Sequence, residues 1–199
     1  MKKKISSTLL AFGLVFCFGF MNQAGSQNPT GKNPDTLIAE IDKFRTEAIA
    51  KAREGGNLDV QAMDRGIKQM ALDAVKGVDA HKVEPRSGLS WAKLYNLAEM
   101  HEEVMISAER FISSGPPQNK RFEAEILIFS ALDTLVRMEQ LFDRLKSTEI
   151  RNAQQASQFA LTVAYTYAER IRESLGAQSA LELLEITEKK TLVDSYFEN

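Results

Sequence analysis

From Gln118 to Asn199 the chain contains no proline and a single glycine, Gly176. Proline removes a backbone donor and clashes inside a helix, and glycine costs about 1 kcal/mol there relative to alanine, so a stretch this long without them is free to run as long helices. Apolar residues along the chain recur at three- and four-residue spacings and show no strand-like alternation. The expected fold class is all-α.

Helix boundaries follow from local chemistry. Asn33-Pro34-Asp35 supplies a capping side chain, a proline suited to the first turn and an acid facing the positive helix end. Leu37, Ile41, Phe44 and Ala48 then form one face, and Gly55-Gly56 stops the helix. Asn57 is placed to cap a second helix through Val60, Met63, Ile67, Met70 and Ala74, ending near Gly77; the glycine inside it, Gly66, implies a close helix crossing. The break from Val78 to Gly88 holds His81 and Pro85. Leu94, Leu97, His101, Val104, Ala108 and Phe111 make a heptad-like seam over a third helix from Leu89 to Ser113, which Gly115-Pro116-Pro117 ends. The remaining chain divides into helices over Asn119 to Lys146, Asn152 to Leu175 and Gln178 to Phe197. The first of these is apolar on nearly every side around Ile126 to Phe129 and is expected to be central. The second carries Ala156, Ala160, Ala164 and Ala168 at strict four-residue intervals beside Phe159, Val163, Tyr167 and Ile171, so a partner helix is expected to approach its alanines closely. Glu47/Lys51, Asp64/Lys68 and Glu185/Lys189 are expected surface pairs.

Six antiparallel helices joined by short loops predict a helical bundle or stacked αα-hairpins forming a short repeat-like solenoid, although no 34-residue period recurs. Residues 33–199 are expected to form a single helical domain, with 33–77 an N-terminal hairpin and 88–199 a main four-helix body.

Ahead of that domain, Lys2-Lys3-Lys4 precedes an apolar run from Ile5 to Met21 and then Ala24-Gly25-Ser26. This order of basic, apolar and small-residue regions is that of a secretory signal peptide over residues 1–26, cut between Ser26 and Gln27, with 27–32 a flexible linker. The run is at the short end of what crosses a bilayer, so an uncleaved anchor is the alternative; lipidation at Cys17 is a third, disfavoured by the bulky Phe16 before it. A periplasmic or secreted protein is expected, with the membrane as a partner only where the segment is retained. Cleavage also removes three lysines and the single cysteine, leaving 22 basic against 27 acidic residues and a net charge of −5.

A mildly acidic chain without a basic stripe is not built to grip a phosphate backbone, so no nucleic-acid partner is expected. Without Cys17 there is no thiol catalysis, thiolate zinc, iron–sulfur cluster or covalent haem, and Asn28-Pro29-Thr30 is blocked as a glycosylation acceptor by its proline. His101 lies beside Glu99, Glu102 and Glu103, but positions 97, 98 and 105 are Leu, Ala and Met, so its helix offers no second metal ligand one turn away; a core histidine with one hydrogen-bond partner is expected. Met63, Met70, Met100, Met105 and Met138 fit core packing better than haem ligation. No serine has the glycines of a nucleophile elbow. Neither a metal nor another cofactor is expected, and nothing points to an enzyme.

The best candidate contact residues are the amphipathic aromatics Trp91, Tyr95, Tyr165 and Tyr167, the residue types that anchor binding interfaces. The composition and pattern lead to an exported, non-enzymatic helical module that binds another envelope protein or peptide in a groove between hairpins. The alternative is a helical-bundle sensor or carrier with a pocket for a small apolar ligand lined by Tyr95, Tyr165 or Met105.

Overall fold

The computed structural model describes residues 31–55 and 57–192. The expected signal segment 1–26, its expected Ser26–Gln27 junction, most of the expected linker and the expected final helical residues 193–197 lie outside the described residues. Among the described residues the chain is helical throughout, with no strand.

α1 (Pro34–Arg53) begins as its sequence dictates: the Asn33 side chain accepts from the Asp35 and Thr36 amides, with Pro34 in the first turn. α2 (Val60–Val75) is capped by Asp59, whose carboxylate accepts from the Ala62 amide at 2.8 Å, and not by Asn57. The expected third helix is two helices, α3 (Gly88–Leu97) and α4 (His101–Ser113). The expected fourth is likewise α5 (Gln118–Thr134) and α6 (Met138–Ser147). α7 (Ala153–Thr162) runs through a π-helical turn (Val163–Tyr167) into α8 (Ala168–Leu175), and α9 (Ala177–Leu192) follows the left-handed Gly176.

Both unexpected breaks have one construction. Glu99 and Val136 adopt left-handed backbone (φ 59° and 57°), and each closes the preceding helix with a pair of backbone bonds. The Glu99 amide donates to Asn96 and the Met100 amide to Tyr95; thirty-seven residues later the Val136 amide donates to Asp133 and the Arg137 amide to Leu132. This is the terminal motif that glycine usually supplies, and placing another L-residue there costs about 1–2 kcal/mol. The return is larger. Each reversal folds an apolar helix onto its continuation, sealing Trp91, Leu94 and Tyr95 of α3 with Val104 and Ala108 of α4, all fully buried. Burying one such side chain is worth about 1.5–3 kcal/mol, so the seam drawn along a straight helix is satisfied by folding it in two.

The four-residue repeat in the fifth expected helix has a similar explanation. An α-helix has 3.6 residues per turn, so each four-residue step overshoots by about 40°, and three steps from Phe159 would carry Ile171 off the stripe. The wider π turn absorbs the excess, and Phe159, Val163, Tyr167 and Ile171 all stay buried. Of the alanines, only Ala156 is buried.

The resulting hairpins pack in chain order. α1 and α2 both contact α3, α3 and α4 both contact α5, and α6 contacts α8 and α9. Ion pairs cross the junctions, and those beside the helix reversals are Lys68–Glu99, Glu102–Arg137 and Asp133–Arg170. The expected Asp64/Lys68 pair thus gives way to a longer-range one, and Glu47 pairs with Lys43 in place of Lys51. Lysines join the ends of the fold to its body: Lys32 Nζ donates to the Asp73, Ala74 and Lys76 carbonyls at the C-terminus of α2, and Lys190 Nζ to those of Leu145, Lys146 and Thr148 at the end of α6. A cation there satisfies carbonyls that the helix cannot, at its negative end.

Two glycines mark close approaches. A Cβ on Gly66 would stand 2.8 Å from the end of the Phe44 ring, the helix crossing anticipated from the sequence. One on Gly88 would stand 2.5 Å from the Ser107 carbonyl oxygen and 3.0 Å from Phe111 Cβ, with backbone that cannot swing aside. Gly88→Ala is therefore expected to destabilise by about 1–3 kcal/mol, the usual range for overpacking, whereas Val136→Gly relieves left-handed strain at a side chain that is 70% exposed and is expected to stabilise by about 1 kcal/mol. Urea unfolding midpoints moving in opposite directions would bear this out; a lower midpoint for Val136→Gly would contradict it.

Candidate functional site

The four aromatics singled out from the sequence do not come together. Trp91 and Tyr95 are fully buried on α3, where their rings meet at 6.4 Å and the Tyr95 hydroxyl donates to the Val78 carbonyl at 3.0 Å. Tyr167 is buried edge-on to Phe129 at 6.2 Å. Only Tyr165 faces solvent, at 85% exposure on the π turn. Three of the four are placed as packing residues, and burial pushes the Tyr95 and Tyr167 hydroxyls up to about 12.

His101 starts α4 half-buried, and its Nδ1 is sealed from solvent with no hydrogen-bond partner, which differs from the partnered core histidine expected. Among the described residues, no group of three or more His, Cys, Asp or Glu is arranged to hold a metal ion, and no helix is long and apolar enough to cross a membrane.

The concave feature with most chemistry lies where α4, α5, α6 and the loop before α3 converge. Its floor is Met105 and Ile106 of α4 with Ile128 and Leu132 of α5, its rim is His81, Gln140, Glu109 and Arg144, and its volume is about 450 Å³. Helical spacing puts these side chains there: Met105, Ile106 and Glu109 fall on one side of α4, Ile128 and Leu132 one turn apart on α5, and Gln140 and Arg144 one turn apart on α6. This hollow is a trough between α4 and α6, and Glu109 also borders a second hollow of about 470 Å³ with Glu84, Arg86, Arg110 and Ser113.

Arg144 organises the rim. Its Nε donates to Glu125 and its Nη1 to Glu109, both at 2.5 Å, tying α6 to α5 and α4 at once. Glu125 is only 5% exposed, so without this guanidinium its side chain would be a buried polar group with no counter-ion. Burial opposes the charge on Arg144, but the two carboxylates outweigh it and raise its pKa further. The cluster carries two acids against one base, and its net negative charge stands at the edge of an apolar floor. It can hold an extended apolar segment and accept hydrogen bonds from a basic or amide group at Glu109.

Glu125 carried a signal that sequence reading passed over. It is three residues after Phe122 and four before Phe129, both buried, which places a carboxylate on the apolar stripe of α5 and demands a partner. The partner itself is not legible, because Arg144 is brought in only by the break at Val136.

A comparison of the chain with models of known protein families finds no match. Comparisons with curated proteins and with solved structures also find none.

Two measurements test the electrostatics. Arg144→Met leaves Glu125 buried without its cation and is expected to cost about 3 kcal/mol, with most of the loss recovered in the Arg144→Met/Glu125→Gln double variant. Additive losses in that cycle would mean the two groups are not coupled. For the tyrosines, the fold favours the neutral phenol, so their contribution to stability is intact below about pH 10, the unfolded value, and is lost as pH rises toward 12. Tyr167→Phe is expected to flatten that alkaline decline in chemical unfolding followed by circular dichroism; an unchanged slope would contradict the assignment.

Proposed function

We propose that this chain is an exported, non-enzymatic helical module that holds a short apolar segment of another envelope protein in the α4–α6 trough. The observation supporting this reading is the trough itself, floored by Met105, Ile106, Ile128 and Leu132 and rimmed by polar groups. Methionine beside branched aliphatic residues makes a floor that adapts to more than one apolar side chain, and the Arg144 ion pairs hold the rim in place without occupying the floor. An open trough suits a chain segment better than a small apolar ligand, which binds best where most of its surface is enclosed. Export rests on Lys2-Lys3-Lys4, the apolar run and Ala24-Gly25-Ser26.

A photo-cross-linking phenylalanine analogue at Gln140, in the full chain expressed in a bacterial host, tests both parts. The expected result is an exported species of intact mass beginning at Gln27 that gives a discrete adduct from Gln140, lost when Met105→Arg fills the floor with charge, while the same analogue at Glu47 on α1 gives none. An adduct that survives Met105→Arg, or the same adducts from both positions, would overturn the trough as the binding site. A chain that keeps residues 1–26 would overturn the cleaved-signal reading alone.

A further inference from the structure

The two hollows that meet at Glu109 lie along one face of α4, and their chemistry differs. Met105 and Ile106, then Glu109 and Arg110, then Ser113 and Ser114 are successive turns of that helix, three and four residues apart. The first turn belongs to the apolar floor of the trough; the other two border the hollow of about 470 Å³, whose opposite wall is the short 3₁₀ turn Pro85–Ser87. That turn packs on α4 through Gly88, where a Cβ would meet the Ser107 carbonyl, so the two walls are held at a fixed spacing.

Two acids and two bases border this hollow, but the acids are already engaged. Glu109 gives its Oε1 to Arg144 Nη1 at 2.5 Å, and Glu84 has an interaction of its own. Among the described residues, neither Arg86 nor Arg110 forms an ion pair. Arg110 is half-buried, and its Nε donates to the Val83 carbonyl at 3.0 Å, which holds the guanidinium beside the turn and leaves both Nη groups as donors. A cation in the last turn of α4 suits the negative end of that helix, which accounts for Arg110 alone. Arg86 stands just before α3, at a positive helix end where a cation is disfavoured, so helix electrostatics do not explain it. The Ser113 and Ser114 hydroxyls donate to the Glu109 and Phe111 carbonyls at 2.8 and 2.7 Å. The donors that the hollow can offer a ligand are therefore guanidinium N–H groups, whose planar fork matches the two oxygens of a carboxylate.

We infer that the apolar segment held in the trough carries an aspartate or glutamate side chain beside its apolar residues, and that Arg110 and Arg86 hold this carboxylate in the neighbouring hollow. This rests on the proposed seating of a partner segment in the α4–α6 trough, and names the chemistry that selects the segment. Arg110 lies four residues past Ile106, about 6 Å along the helix, and an extended chain covers about 3.3 Å per residue. With the length of the arginine side chain added, the acid falls about two to four positions from the apolar residue that enters the floor. Glu109 sets the register, because an acid placed over it would face a like charge while a backbone amide there would find an acceptor.

Selection of random peptides displayed on phage tests this, with the full chain as the host processes it for bait. The peptides are fused through their C-termini, so side chains supply their only carboxylates. Recovered sequences are expected to pair apolar residues with Asp or Glu at that spacing, and in fluorescence anisotropy the matching Asn or Gln peptide is expected to bind about tenfold more weakly or worse. Arg86→Glu, at an exposed position that the fold tolerates, and Arg110→Gln are each expected to erase the difference between acid and amide peptides while the preference for apolar residues persists. Should Arg110→Gln lose its helical circular dichroism, Arg110→Lys keeps the charge without the fork and is expected to lose most of the difference. Apolar peptides that depend on Met105 but show no acid preference overturn the inference and leave the trough standing, as does an acid preference that survives the arginine variants. Peptides that bind Met105→Gln as tightly as the unaltered chain overturn the trough and this inference with it, and recovery of no peptide overturns both.

Discussion

The architecture depends on two left-handed residues. Without Glu99 and Val136 in that conformation, α3 and α4 would be one straight rod and α5 and α6 another. A rod of that length could bury its apolar stripe only against something equally long. The reversals let each stripe find its partner within about twenty residues, in hairpins that then pack with their neighbours. The cost of about 1–2 kcal/mol at each is small against the side chains that it seals. Glu99 recovers part of the cost through Lys68 across the junction, while Val136 is exposed and has no such compensation among its described contacts.

The ion pairs follow from that geometry. Lys68–Glu99, Glu102–Arg137 and Asp133–Arg170 all involve residues within four positions of a left-handed break or on the helix packed against it. The two exposed pairs, Lys68–Glu99 and Glu102–Arg137, add little stability, about 0–1 kcal/mol, so they fix the offset of one hairpin on the next more than they hold the stack together. Arg144 is different: Glu125 is buried, so the pair is obligatory once the chain has turned. Burial also leaves Asp133 above the usual carboxylate range, the Arg170 guanidinium offsetting only part of the desolvation.

How much of this could be read in the sequence divides along the range of the interactions. Local chemistry was legible: the Asn33 cap, Pro34 in the first turn, the stop at Gly115-Pro116-Pro117 and the turn at Gly176 are where residue types alone put them. The breaks at Glu99 and Val136 were not, because neither position carries glycine or proline and the conformation is imposed by burial on both sides. Missing them turned the eight helical bodies of the described residues into six. The heptad-like seam from Leu94 to Phe111 was a true signal assigned to the wrong object, since its two halves face each other. The strict four-residue interval from Phe159 to Ile171 was also a true signal; a period longer than 3.6 held for three turns implies a wider turn within the helix, which the π segment provides.

The candidate functional surface was the least legible part for the same reason. Trp91 and Tyr95 have the composition of binding anchors, yet α3 is enclosed by α1, α2, α4 and α5, so their rings are spent on packing. The residues that line the trough are unremarkable one by one: a methionine, two isoleucines, a leucine, a glutamine, a histidine, and a glutamate ion-paired with an arginine. They become a site only because three helices from two hairpins meet there, and those helices exist as separate elements only because the chain reverses at Glu99 and Val136. A motif search reads residues near each other in sequence, whereas this trough joins His81 to Arg144. The physical signals that do point to it are second-order ones: a carboxylate, Glu125, on an apolar stripe, and a positively charged residue placed to answer it one hairpin-turn later.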